Sequence, residues 1–212
     1  MAIVLNDLIA SMEKLSICDI DEAQARLFQL ISGVNNVLQD IHCLLEKQST
    51  EKWNITARLS FETSTHFKWR IYETNNKVFQ LFLHEYKQKD LMRPGYAITP
   101  HNHRYWFASR IINGGFNHIK YSISEKEKDS FNPECVSISE NRLFSRDDAY
   151  QLKVGEIHSL NNIDEKTITL VVQSHPIREY SEEYRLDSGR VIKHIPTSSR
   201  QEKLLSLLKS VY

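Results

Sequence analysis

The chain has 212 residues, 41% hydrophobic and 25% charged, the balance of an ordinary globular protein with material for one substantial core. Lys plus Arg equals Asp plus Glu at 27 each, so the composition argues against the broad basic footprint of a nucleic-acid binder. No stretch reaches the roughly 20 apolar residues of a membrane helix, and Cys18, Cys43 and Cys135 are too few and too scattered for a disulfide framework or a cysteine zinc site.

The N-terminal run lacks the basic start and continuous apolar stretch of a secretory signal, so a cytoplasmic protein with reduced thiols is expected. Segments 3–17 and 21–47 carry helical periodicity. In the second, Ala23, Leu27, Leu30, Ile31, Val34, Val37, Leu38, Ile41 and Leu45 recur at spacings of three and four, and Asp19 or Asp21 can cap it. Residues 1–50 are thus expected as a helical extension packed on the main domain.

From residue 53 the period shifts to two. Strands are expected near 55–61, 66–73, 77–84, 96–99, 105–112, 116–123, 136–138, 151–154 and 167–174, separated by turn chemistry such as Asn75-Asn76, Pro94-Gly95, Asn113-Gly114-Gly115 and Asn161-Asn162. Residues 124–133 are expected as an exposed loop. Many short strands with regular turns predict a mainly β barrel or jelly roll over 51–197, followed by an amphipathic helix over 198–211.

The chemistry concentrates in the run Pro94–His103. Residues two apart on a strand share a face, so His101 and His103 can both project into a barrel interior as adjacent ligands for one divalent metal. Val154-Gly155-Glu156-Ile157-His158 reads as a turn into a strand that presents a third imidazole. Three neutral imidazoles leave open positions on a metal where a substrate and O₂ can both bind.

The PG-x-x-I-x-P-H-x-H run, a following I-x-N-G-G turn and a later G-x-I-H strand resemble the two-motif pattern of cupins, over roughly residues 66–195. The match is most similar to the thiol dioxygenase branch, the cysteine dioxygenases and their relatives. Residues 154–162 are similar to that branch's G-x-x-H-x-x-x-N motif, and 180–190 to its strand-turn-strand ending. Most cupins add a glutamate ligand four or five residues after the second histidine; Phe107 and Ala108 stand there instead.

The resemblance implies Fe(II) held by His101, His103 and His158, with O₂ and a small coordinating substrate at the metal. It implies a substrate-carboxylate role for Arg70, whose guanidinium suits a bidentate pair. Where the branch carries a Ser-x-His-x-Tyr series, this chain has Thr169, Val171 and Gln173, so only Thr169 keeps a hydroxyl. Ala108 takes the place of a cysteine that some members cross-link to that tyrosine. These departures point away from cysteine itself as substrate.

Tyr105, Phe107, His84, Tyr86, His118, Tyr121 and His175 are further pocket or core candidates, and 87–95 is a solvated connection or a lid. Two other readings stay open: a non-oxidative metal-dependent cupin enzyme such as an isomerase or decarboxylase, and a binding module without turnover. No nucleophile elbow or phosphate-binding glycine loop is present. The acid pairs Asp147-Asp148 and Glu182-Glu183 are neighbours that point to opposite strand faces. Nucleic acid and membrane are not expected as partners, and the oligomeric state is open.

Overall fold

A computed structural model describes residues 4–15, 20–47, 49, 51, 58–88, 92, 97–125 and 129–195. Three helices come first: α1 (Leu5–Lys14), α2 (Ile20–Gly33) and α3 (Val37–Glu46). The single helix expected over 21–47 is two. Gly33 ends α2, and Asn36 takes a left-handed backbone at φ 54°, which turns the chain before Val37 starts α3. The apolar stripe survives the break: Ala23, Leu27, Ile31, Val34, Val37 and Ile41 are all buried. The segment expected as a C-terminal helix lies outside the described residues.

Eleven described strands follow. They are β1 (Phe61–Glu62), β2 (His66–Glu73), β3 (Phe79–Tyr86), β4 (Phe107–Asn113), β5 (Gly115–Ile123), β6 (Val136–Ser145), β7 (Ala149–Leu152), β8 (Ile157–Asn161), β9 (Ile168–Ser174), β10 (Ser181–Arg185) and β11 (Arg190–His194). One sheet runs β1-β2-β3-β9-β4-β7, with every pair antiparallel. A second runs β6-β5-β8. Single bridges from His101 to His158 and to Glu183 join it through the histidine segment to β10-β11. The two sheets face each other as a jelly roll.

Alternation sorts each strand's side chains. On β3, Phe79, Leu81 and Leu83 pack with the helices, while Phe82 and Tyr86 enter the space between the sheets. Ala108 and Trp106 lie on the helix side and Phe107 on the inner side. Two cores result: one between the helices and the large sheet, one between the sheets. A third small cluster, Phe131, Tyr184 and Val191, closes the far corner.

Several expectations shift. Of the strand expected at 96–99, the described residues 97–99 form a turn, and the adjoining Pro100 has no amide donor for a ladder; Ala97 still accepts a hydrogen bond from the Leu160 amide at 2.9 Å. β6 extends to Ser145, because a strand exposed on one face carries Glu140, Asn141 and Arg142 without losing its pairing to β5. In the expected loop at 124–133, Phe131 is buried and its amide donates to the Gly189 carbonyl at 2.8 Å.

Candidate metal centre

His101 and His158 face each other across a backbone pair: the His101 amide donates to the His158 carbonyl, and the reverse bond forms, each at 2.8 Å. Directly opposite residues of an antiparallel pair share a face, so both rings point between the sheets. The Asn102 amide bonds the Glu182 carbonyl at 2.9 Å, which holds the segment on its other edge and sets His103 beside His101. The H-x-H pair therefore sits on one extended segment stitched between β8 and β10, not within a regular strand.

The three Nε2 atoms converge. His103 Nε2 lies 3.2 Å from His101 Nε2 and 2.9 Å from His158 Nε2. Nitrogen donors each about 2.1 Å from one ion and roughly 90–110° apart lie about 3.0–3.4 Å from one another, close to the two separations from His103, and all three ligand atoms lie within 4.8 Å of one another. The tautomers agree. His101 Nδ1 is 2.8 Å from the Thr99 carbonyl, an acceptor only, so Nδ1 carries the proton and the Nε2 lone pair faces the centre. His158 Nδ1 is 3.0 Å from His118 Nε2. A metal on His158 Nε2 needs the proton on Nδ1, which then donates to His118; that leaves the His118 proton on its own Nδ1, a buried atom with no partner.

Burial keeps the cluster neutral, the form a metal requires. Desolvation lowers His101 to about 4, against weaker opposing effects from the Thr99 carbonyl and Glu183. Desolvation, reinforced by the neighbouring imidazoles, holds His103 and His158 well below the usual histidine range. Among the described residues no carboxylate joins the set. Glu183 stands opposite His101, yet its carboxylate accepts hydrogen bonds from Thr99 Oγ1 at 3.1 Å and Arg185 Nε at 3.0 Å and lies 2.8 Å from His194 Nε2. Glu182 turns the other way, to Asn102 and the Tyr184 hydroxyl. The Phe107 ring stands edge-on to His103 at 4.9 Å, where a glutamate ligand was absent from the sequence pattern.

A cavity of about 70 Å³ opens over the imidazoles, walled by Tyr86, Tyr105, Phe107, Tyr150, Leu160 and Val171. Desolvation raises Tyr105 to about 12 and pushes Tyr86 and Tyr150 up as well, so these phenols stay protonated. His66 and His84 stack at 4.4 Å on the cavity's far side.

Arg70 lies elsewhere. Its guanidinium pairs with Glu73 on the same strand and lines neither the metal cavity nor the larger one outside it. Lys68, one alternation earlier, lines that outer cavity instead. Thr169 is fully buried between Ile111 and His84, its hydroxyl without a partner. Val171 and Gln173 line the cavity, as alternation along β9 requires. His118 sits behind His158 rather than in the cavity. The Cβ alternation of β5 and β8 carries that signal in the sequence, but only the register of Lys120 opposite His158 makes it usable.

No family model and no curated protein matches this chain. Among solved structures it is similar to KdgF from Halomonas sp. (TM-score 0.37, 15% identity, 56% of this chain and 88% of that one). It is also similar to an oxalate decarboxylase variant of Bacillus subtilis (0.36, 12%, 62% and 29%) and to the ectoine synthase of P. lautus (0.36, 16%, 55% and 69%). These likenesses are too slight to assign a family, and the fold stands on the strand pairing above. Among the described residues, no helix is long and apolar enough to cross a membrane.

Proposed function

We propose that the protein is a cupin-type metalloenzyme whose three-histidine centre holds Fe(II) and uses O₂ on a small coordinating substrate, such as a thiol or an amino-acid derivative. The convergence of three neutral Nε2 donors without a carboxylate carries this reading. Such a set leaves the dication's charge uncompensated and part of its coordination sphere open, which suits an anionic substrate atom beside O₂. Iron, when bound, supplies the redox chemistry. The chain's own residues hold the imidazoles in one tautomer, exclude water with the aromatic wall, and present protonated phenols as hydrogen-bond donors.

Metal analysis of purified protein tests the ligand set. About one equivalent of iron is expected, and a His101→Ala, His158→Ala double variant loses it; unchanged content removes the reading. Oxygen uptake by iron-loaded protein with candidate thiols and amino-acid derivatives tests the reaction. Turnover that proceeds without O₂ and tolerates zinc or manganese favours the isomerase or decarboxylase reading instead.

A further inference from the structure

We propose that Lys68 is a nucleophilic amine that takes small aldehydes and 2-oxo acids as reversible imines in the outer cavity. Lys68 points inward from β2 and is buried. Its Nζ donates to Gln173 Oε1 at 2.6 Å and lies 4.1 Å from the Phe82 ring centre, 5.3 Å from Tyr105 and 5.7 Å from Phe61. Among the described residues no carboxylate pairs with it. Lys87, Lys120 and Lys193 each sit against one: Glu62, Glu140 with Glu156, and Asp129.

The titratable groups around Lys68 are His66 on its own strand, His84 on β3, His103, Arg104 and Tyr105 on the segment that faces it, and His175 and His194 on the cavity wall, His194 lying 2.8 Å from Glu183 Oε2. Gln173 is its neighbour from β9, and Gln173 in turn bonds Gln80, which bonds Glu73. The nearest acid on this chain of amides is thus already paired with Arg70.

Two effects favour the ammonium, namely the aromatic faces and the amide oxygen. Two oppose it, desolvation first and Arg104 second. Desolvation and Arg104 bring the amine down to about 7. A desolvated lysine beside a second cation is the setting in which an amine becomes a nucleophile at neutral pH. The cavity it faces measures about 430 Å³, room for a small carbonyl compound.

The step balances without a co-reactant. The nitrogen lone pair attacks the carbonyl carbon; the C–N bond forms and the oxygen takes a proton as the C=O π bond breaks. The hydroxyl then leaves with a proton as water, giving C=N. Hydrolysis reverses it, and nothing is oxidised or reduced.

The full-length protein as purified is incubated with glyoxylate and sodium cyanoborohydride at pH 7, and modified peptides are mapped by mass. Lys68 is expected to react at least about tenfold faster than Lys87, Lys120 or Lys193, because each of those amines is held by a carboxylate and Lys68 pairs with none among the described residues. Its rate should level off above about pH 7.5. Lys68→Arg, which keeps the charge, should abolish the fast site alone. A folded protein in which Lys68 stays unmodified, or reacts no faster than the paired lysines, overturns the assignment. The mapping on the unaltered protein decides this even if the variant does not fold.

Discussion

His118 shows what a residue behind a ligand contributes. It does not line the metal cavity, yet its Nε2 lies 3.0 Å from His158 Nδ1, placed to accept that atom's proton when Nε2 of His158 binds metal. Replacing such an orienting partner costs about 10–100-fold in metal affinity. His118→Leu is therefore expected to weaken metal binding by that factor, measured by titration with Co(II). His118→Gln, whose amide oxygen can accept from His158 Nδ1, should recover part of it. Equal affinity in all three proteins would show that the bond does not orient the ring. Side chains two apart in sequence also part company here. Lys68 and Arg70 share an alternation phase, but a bulge between Arg70 and Tyr72 and the pull of Glu73 draw the guanidinium to the strand end.

At the scale of elements, the sequence made the strands legible wherever one face was apolar. β2, β4, β5 and β9 fall close to their expected places because alternation into a core is a strong local signal. The histidine triad was legible for a related reason: H-x-H and G-x-I-H are local patterns. What was not legible depends on register. Nothing near His118 says which residue lies behind it, and nothing near Asn36 says that a continuous apolar stripe is split by a left-handed turn. Nothing near Lys68 in sequence marks it either: the rings around it, Phe61, Phe82 and Tyr105, come from three separate segments.

Two substitutions probe the elements. Gly114, at φ +71°, joins β4 to β5, and a Cβ there would lie 2.4 Å from Thr167 Oγ1 and 2.9 Å from Thr167 Cα. Gly114→Ala combines a disfavoured backbone with a clash against main chain, so a loss of stability beyond about 1 kcal/mol is expected in urea unfolding. Leu27, fully buried on α2, packs the helices on the large sheet. Leu27→Ala should cost about 2–5 kcal/mol while leaving the metal stoichiometry unchanged, since no ligand lies in that layer. Loss of metal in a folded Leu27→Ala protein would show that the helical layer reaches the site.

For the molecule as a whole, the space between the sheets is unusually rich in neutral imidazole. Desolvation lowers His66 to about 3, with Lys68 and Lys87 adding to it, and holds His84 well below the usual range. In the unfolded chain both recover values near 6.5. The stability they contribute is complete above about pH 6.5. It is lost as pH falls toward the folded values, because the unfolded state then binds protons the native state does not. Each histidine contributes a slope of up to about 1.4 kcal/mol per pH unit. The urea midpoint of metal-free protein should therefore drop steadily from pH 7 to pH 5. A midpoint flat across that interval would mean that these rings are charged or solvated in the native state.

The reciprocal amide bonds between residues 101 and 158 have a kinetic corollary. Because each ligand's peptide is the other's hydrogen-bond partner, neither strand can fray without releasing the other. Deuterium uptake at the two amides should rise and fall together, as one opening event, in the absence of any ion. Coordination would then act as a clasp on a seam already closed by main chain, slowing that opening without reshaping it.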